Sequence, residues 1–280
     1  MYDDNYRKRF TSVAAAIYGK EIELSETGRE MEFTHIHNHH DFEILVIKKG
    51  KARFVIDDHE FFAEKGDVIL VNPYEIHSAY ALAEFMPFSY YCITFDLSLI
   101  LASSTHPATK ICQQMSDGCM RFHHLVREPE IASILLELEE IFTKKSEGWE
   151  FFMTSAMFRI FGLLYKNKKY TLMPATKNHI FTKEVTGFVE NNFTENITST
   201  HAAERLGYDK SYFCRLFRKN FGKSFGEYLN FHRINFATEL LRRGSSVSEA
   251  AFACGFNNLS YFTKVFKKYN NTQPSKIGKE

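Results

Sequence analysis

The chain carries the stretch Ala250-Ala-Phe-Ala-Cys-Gly255-Phe256, followed by Ser260-Tyr-Phe-Thr-Lys-Val-Phe-Lys-Lys268. An earlier copy reads Ala202-Ala-Glu-Arg-Leu-Gly207-Tyr208, followed by Ser211-Tyr-Phe-Cys-Arg-Leu-Phe-Arg-Lys219. The offset is 48 residues in the first part and 49 in the second, so the second copy has one extra residue in its turn. Each copy predicts a short helix, a tight turn at glycine and a second helix with basic residues.

The residue types in each copy fit a helix-turn-helix. Paired alanines allow the first helix to pack closely against the second. Gly207 and Gly255 can adopt the positive φ that a sharp turn requires, because glycine has no Cβ to clash. The repeat therefore predicts two helix-turn-helix units.

The second helix of each unit has an apolar and a basic side. Phe213 and Phe217, four residues apart, predict a buried face, and Phe262 and Phe266 do the same in the second copy. The opposite face carries Arg215, Arg218, Lys219, Lys264, Lys267 and Lys268. A helix that is held in place by a buried apolar face and carries basic residues on its exposed face is suited to enter the phosphate-lined groove of DNA. A generic bundle with a basic surface is the alternative, and two matched copies argue against it.

A single helix is predicted between the two copies. Ser224 is a suitable N-cap and Gly244 lies beyond the last turn at Arg242. Nineteen residues at the helical rise span roughly 28 Å. A rod of that length would hold two recognition helices about one DNA turn, ~34 Å, apart on one face of the duplex.

Charge is distributed unevenly along the chain. Residues 178–280 hold 15 Lys/Arg and 9 Asp/Glu, a net charge of +6, whereas residues 1–177 hold 20 and 25, a net charge of −5. This asymmetry indicates an acidic sensor joined to a segment that meets a polyanion.

The first half of the chain has the pattern of a β protein. Short runs rich in β-branched residues recur over 33–96, separated by Gly, Pro and Asp, and predict a sandwich or barrel. Apolar residues at spacings of three and four then predict helices over 128–143 and 149–166. The polar segment 167–178 is expected to be a linker, and the two helices are expected to cap the barrel, to pair two subunits, or to do both.

The cysteines and the hydropathy of the chain indicate the cellular compartment in which the protein is expected. The five cysteines are scattered and form no CxxC pair, which argues against disulfides and a zinc finger and favours the reducing cytoplasm. No apolar run approaches the ~18 residues that span a bilayer. We therefore expect a cytoplasmic protein with no membrane partner.

The repeat resembles the signature of the AraC/XylS family of bacterial transcription regulators over about residues 180–278, with Thr272-Gln-Pro274-Ser275 after the second copy. The resemblance implies that base contacts come from the early part of each second helix. Carried over, these positions are Lys210, Ser211, Cys214 and Arg215, then Asn258, Leu259, Ser260, Thr263 and Lys264. Arg215 is the strongest candidate because arginine can pair bidentately with guanine, and Lys219 is expected to contact phosphate.

The first part resembles that family's cupin-like sensor. The matching residues are His37, His39, His40, Glu43, Gly50, Gly66, Asp67, Pro73 and His77. The implied fold class is α+β, with a cupin-like β-barrel domain over 1–125, a helical dimerisation segment and linker over 126–177, and an all-α double helix-turn-helix domain over 178–280.

His37, His39, Glu43 and His77 form a candidate site with three interpretations. They bind a polar effector by hydrogen bonds, they are structural, or they bind a metal, since three imidazoles and a carboxylate suit Fe, Mn, Zn or Ni. The first is our expectation, so these four residues are assigned to the effector. No residue is assigned as catalytic or as a metal ligand, and no cofactor is expected.

The sequence thus predicts a sequence-specific DNA-binding transcription regulator that is not an enzyme. Its expected partners are promoter DNA, a small-molecule effector with sugars among the candidates, a second copy of the chain, and RNA polymerase. The main alternative is a metal-dependent cupin enzyme or metal sensor fused to a DNA-binding module. A sequence-indifferent architectural DNA binder is less favoured, because its charge of +6 is modest for binding by electrostatics alone.

Overall fold

The chain divides into two compact units, Met1–Ile180 and Phe181–Glu280. The structure, a computed structural model, describes residues 17–22, 30–97, 108–144, 147–270 and 272–277. Among these residues, no helix combines the length and the apolar content needed to cross a membrane.

The first unit is built on two antiparallel sheets. Its strands are β1 Ile17–Ile22, β2 Glu30–His37, β3 Phe42–Lys49, β4 Lys51–Ile56, β5 His59–Glu64, β6 Val68–Val71, β7 His77–Leu82, β8 Phe88–Phe95, β9 Met120–Phe122, β10 Leu125–Val126 and β11 Tyr170–Leu172. One sheet has the order β1-β8-β3-β6-β10 and the other β2-β7-β4-β5, while β9 and β11 form a separate pair. The predicted β domain is confirmed.

The position of strand β3 within its sheet explains why this strand is mostly apolar. It lies between β8 and β6, and its first six residues are buried. Because side chains alternate across a strand, Leu45 and Ile47 point into the core between the two sheets. Ile44 and Val46 point to the other face, where they join a second core that includes helical residues. A strand covered on both faces must be apolar on both.

Among the described residues, three α-helices complete the first unit: α1 Thr109–Ser116, α2 Pro129–Lys144 and α3 Trp149–Lys166. The predicted helices over 128–143 and 149–166 are therefore confirmed. The apolar stripe of α2 is buried within its own subunit, with Leu135 0% and Leu138 1% exposed. That stripe belongs to the core beside the five-stranded sheet, so it cannot be the surface shared by two subunits.

Helix α3 is turned relative to the expectation. The spacing of its apolar residues predicts one packed side with Phe152, Ala156, Ile160, Leu163 and Leu164. The structure instead buries Met153 and Met157 with Ile160 and Leu164, and leaves Phe152 54% exposed. Ala156, Ile160, Leu163 and Leu164 do pack in or against the core. The expectation was wrong for Phe152, because the start of this helix is apolar on several sides and the periodicity does not choose among them.

The expected linker over 167–178 is partly ordered as secondary structure. Strand β11 pairs with β9 in register, with Thr171 opposite Arg121. The helix of the next unit begins at Lys177. Polarity predicted a linker correctly as exposed chain, but it gave no signal for a short strand pairing across about 50 residues.

The described part of the second unit is all-helical, and its first helix begins four residues before the boundary at Phe181. Its helices are α4 Lys177–Asn192, α5 Ser199–Arg205, α6 Lys210–Phe221, α7 Phe225–Arg242, α8 Val247–Ala253 and α9 Leu259–Asn270. The predicted long helix is α7, and Ser224 caps it in a reciprocal capping box with Glu227. Ser246 and Glu249 form a second capping box at α8.

Helix α7 carries a buried arginine that ties the second unit together. Arg233 donates from Nε to the carbonyl oxygen of Phe193 and from Nη2 to that of Glu195, both at 2.7 Å. Its guanidinium also lies 5.6 Å from the ring centre of Phe256, which directly follows the turn at Gly255. The end of α4, the long helix and the turn of the second copy therefore meet at one side chain.

Candidate nucleic-acid interface and effector pocket

The first helix-turn-helix consists of α5, a turn at Gly207 and α6. Gly207 has φ +76°, as the sequence predicted. Asp209 caps α6, since its carboxylate accepts from the backbone N–H of Tyr212 at 2.9 Å. Lys210 and Ser211 therefore occupy the exposed first turn of the second helix.

Helix α6 separates its faces as expected. Phe213 and Phe217 are 0% and 1% exposed in the core of the unit. The five positions assigned to DNA are all exposed: Lys210, Ser211, Cys214, Arg215 and Lys219. The helix thus presents one contiguous polar and basic surface with a rigid aromatic anchor behind it.

A surface cavity of about 480 Å³ borders this face. Cys214, Arg215 and Lys219 line it together with Arg218, and the start of α7 at Ser224 and Gly226 contributes another wall. Three cations at one concave surface favour a polyanion. Arg218 was recognised on the basic face but was not assigned to the site, because the sequence does not show that the cavity wall extends this far along the helix.

The second helix-turn-helix repeats this arrangement with a different set of side chains. Gly255 has φ +79° and Asn258 caps α9 by accepting from the backbone N–H of Tyr261 at 2.8 Å. Thr263 donates its hydroxyl to the carbonyl oxygen of Leu259 at 2.9 Å. Of the assigned residues, Thr263 is half-buried, and the other four are exposed: Asn258, Leu259, Ser260 and Lys264. Two of the four polar side chains among the five assigned residues, Asn258 and Thr263, are thus already engaged with the backbone.

The candidate effector residues converge at one end of the space between the two sheets. Glu43 lies on β3 on the same face as Leu45, and His77 lies on β7 on the same face as Ala79. His37 ends β2 and is the register partner of His77. His39 follows in the turn between β2 and β3. The four residues, separated by up to 40 positions in sequence, are therefore brought together.

Short distances connect the cluster. Nε2 of His39 lies 2.9 Å from Oε2 of Glu43, and Nε2 of His77 lies 3.6 Å from the same oxygen. The ring centres of His37 and His77 are 4.2 Å apart. One nitrogen of each of the three histidines lies within 4.8 Å of the others.

Burial and mutual charge set the protonation of the cluster. Burial and the neighbouring histidines hold the pKa of His37 well below its usual range. For His39, burial acts to lower the pKa, but the hydrogen bond and the charge of Glu43 outweigh it and raise the pKa. Burial acts to raise the pKa of Glu43, yet the hydrogen bond from His39 holds it well below the ordinary value. His39 and Glu43 therefore favour each other's charged forms inside a shielded site.

Cys92 on β8 is a neighbour that sequence reasoning missed. Its thiol donates to Oε1 of Glu43 at 3.3 Å, opposite the oxygen that faces His39. Burial raises the pKa of this thiol well above its usual value, and the charge of Glu43 acts in the same direction. The thiol stays protonated and holds the carboxylate in place. This contact depends on the pairing of β8 with β3, which the spacing of residues in the sequence does not reveal.

Comparison with known families matches both units. Residues 21–161 match the AraC-like ligand binding domain, and residues 202–280 match a helix-turn-helix domain. The first match covers strands β2 to β10 and the histidine cluster, and the second covers both helix-turn-helix copies except the first three residues of α5.

Individual proteins give the same result over most of the chain. It is 26% identical to the uncharacterized HTH-type transcriptional regulator YbfI of Bacillus subtilis over 80% of each chain. It is 25% identical to the Msm operon regulatory protein of Streptococcus mutans, over 86% of this chain and 84% of that one. Among solved structures, wild-type ToxT of Vibrio cholerae bound to an unsaturated fatty acid has a TM-score of 0.60 at 18% identity, covering 92% of each chain. At that identity the likeness concerns the fold alone.

Proposed function

Because the chain belongs to the AraC family and is a DNA-binding transcription regulator, we propose that a small-molecule effector controls it from a pocket at His37, His39, Glu43 and His77. The observation that carries this proposal is the convergence of four polar side chains inside an otherwise apolar core. Small-molecule sites are commonly apolar pockets in which a few convergent polar groups fix the orientation of the ligand. Polar effectors, sugars among them, fit such a donor and acceptor set.

We further propose how the two recognition helices divide their roles. Lys210, Ser211, Cys214 and Arg215 are base-contact candidates in the first copy, and Lys219 is a phosphate contact. Asn258, Leu259, Ser260, Thr263 and Lys264 are the corresponding candidates in the second. The engagement of Asn258 and Thr263 with the backbone supports a larger share of sequence discrimination for the first copy.

We infer that the chain is a regulator and not an enzyme, and that it acts in the cytoplasm. Its relatives are named as regulators, and one is named for an operon. Promoter DNA is the proposed partner of the surface that the two helix-turn-helix units present. RNA polymerase remains a proposed partner, since a DNA-bound regulator can act by contacting it.

The effector proposal predicts a ligand-dependent stability. A thermal-shift screen of sugars and other small metabolites on the full chain is expected to find a compound that raises the melting temperature. Binding to the folded state stabilises it by about 2.7 kcal/mol at a hundredfold excess over the dissociation constant. Glu43→Gln is expected to remove the shift, while Glu60→Gln, at an exposed position on β5, is expected to keep it. An equal shift in both variants would place the ligand elsewhere.

A homodimer is proposed through the outer face of α3. Since Leu135 and Leu138 are buried within one subunit, the candidate surface moves to three exposed aromatics, Phe151, Phe152 and Phe158. Phe151 is 81% exposed, which is unusual for so large an apolar side chain. Covering such a side chain contributes roughly 1.5–3 kcal/mol.

The double variant Phe151→Asp with Phe152→Asp is therefore expected to sediment as a monomer at tens of micromolar, where the parent chain is a dimer. Phe62→Asp is the matched control, because this phenylalanine is also about half exposed but lies on β5. Analytical ultracentrifugation measures the difference. A monomeric parent chain, or equal dissociation of the Phe62 variant, would refute this surface.

A further inference from the structure

We propose that His37, His39 and His77, together with Glu43, form a binding site for one divalent first-row transition-metal ion. The inference deepens the effector-pocket proposal and rests on it, because an ion with open coordination positions would bind the oxygen atoms of a polar effector directly. It takes the metal alternative that the sequence left open and argues it from the geometry of the side chains.

The first argument is the orientation of the three imidazole rings. Nδ1 of each ring lies within hydrogen-bond distance of a backbone carbonyl oxygen: His37 with His35 at 2.7 Å, His39 with Asp41 at 3.0 Å and His77 with Glu75 at 3.0 Å. A carbonyl oxygen only accepts, so Nδ1 carries the proton in all three rings. In the neutral ring the lone pair is then on Nε2. Backbone contacts of this kind fix the tautomer and the direction of metal-ligating histidines.

The second argument is the separation of the donor atoms. With metal–nitrogen distances of about 2.0–2.1 Å, neighbouring ligand atoms lie about 3.0 Å apart in an octahedral site and about 3.4 Å apart in a tetrahedral one. Oε2 of Glu43 lies 2.9 Å from Nε2 of His39 and 3.6 Å from Nε2 of His77. These separations match the edges of a coordination polyhedron.

The third argument is a buried nitrogen that lacks a hydrogen-bond partner. His77 is 4% exposed, and its Nε2 forms no hydrogen bond with any residue that the structure describes. Its Nδ1 is held by the carbonyl of Glu75, so the ring cannot turn to satisfy Nε2 without losing that bond. Buried polar atoms without a partner are rare and call for one. An ion between His77, His39 and Glu43 would supply it.

The fourth argument concerns the carboxylate. Cys92 donates to Oε1 of Glu43, which leaves Oε2 directed toward the histidines. One carboxylate among imidazole ligands is a donor set that suits Fe²⁺, Mn²⁺, Ni²⁺ or Zn²⁺. The carboxylate also compensates part of the charge of a divalent ion in a shielded position.

The test is a Co²⁺ titration of the untagged full-length chain after it has been stripped of metal with a chelator. Visible absorption follows the replacement of water ligands by protein ligands, and elemental analysis after dialysis against Ni²⁺ or Zn²⁺ gives the stoichiometry. We expect one ion per chain. His39→Ala and His77→Ala are each expected to weaken binding at least tenfold. His59→Ala removes an exposed histidine on β5 and is expected to leave binding unchanged.

Circular dichroism of each variant identifies any that fail to fold. If the loss of His77 disturbs the core, the variant at the half-buried His39 still tests the site. Absence of binding by the parent chain, or equal binding by His39→Ala and the parent, would overturn the metal site. If the chain binds no ion while a metabolite still raises its melting temperature, the metal inference fails and the effector proposal stands. One ion per chain that both histidine variants lose supports the inference.

Discussion

Replacing Gly255 with alanine is expected to lower the free energy of unfolding of the second unit by about 3 kcal/mol or more. Two costs add at this position. Gly255 has φ +79°, where a residue with a Cβ pays roughly 1–2 kcal/mol. The new Cβ would also lie 2.6 Å from the carbonyl oxygen of Thr194 and 2.9 Å from that of Phe193, so the backbone must move. The latter oxygen is the one that accepts from Arg233.

Gly207→Ala is the matched control for this substitution. Gly207 occupies the equivalent turn with φ +76°, but a Cβ there would meet no atom within 4 Å. Gly207→Ala should therefore lower the free energy of unfolding only by the cost of a positive φ for a residue with a Cβ, roughly 1–2 kcal/mol. Urea unfolding of a fragment covering residues 175–280 measures both variants. Equal losses at the two glycines would mean that the end of α4 does not press against the second turn.

Arg215→Ala is expected to cost about 1–3 kcal/mol on the specific DNA site and to relax the preference at one base pair. The side chain is exposed at the cavity beside α6, two residues after the buried Phe213, so it points away from the core. If it pairs with a guanine, binding to unrelated sequences should weaken much less. A competition series over single-base variants of a selected site provides the measurement.

Lys219→Ala serves as the contrasting variant on the same helix. If Lys219 contacts a phosphate, its loss should weaken binding to all sequences alike. The slope of log affinity against log salt concentration should fall in magnitude by about one. Arg218 lines the same cavity, and its alanine variant is expected to behave like that of Lys219. Should Arg215→Ala lower the affinity equally for every base variant, the proposed position of the recognition helix would be wrong.

The features that the sequence predicted well are local ones. Helix α7 was predicted with its cap because its start signal at Ser224 and its stop signal at Gly244 both lie within one segment. The turns at Gly207 and Gly255 followed from the only residue that adopts their conformation without strain. The two copies confirmed each other, which a single motif cannot do.

The features that it missed depend on pairing between distant segments. The pairing of β11 with β9 and the contact of Cys92 with Glu43 need the register of strands that are not neighbours in sequence. The face of α3 was misassigned because Phe151, Phe152 and Met153 compete for the core, and only tertiary packing selects Met153. The histidine cluster was correctly grouped, but the direction of each ring depends on backbone carbonyls that no spacing reveals.

The long helix α7 has a consequence for how relatives of this chain can vary in length. An α-helix turns about 100° per residue, so one inserted residue in α7 would rotate the second recognition helix by that angle around the axis of α7, relative to the first recognition helix. The two helices would then face different sides of the duplex. Even an insertion of seven residues restores the phase only to within about 20°, and it lengthens the rod by roughly 10 Å, or about three base pairs. We therefore expect length changes to be confined to the loops, and a regulator that reads a different spacing to require a different helix rather than a longer one.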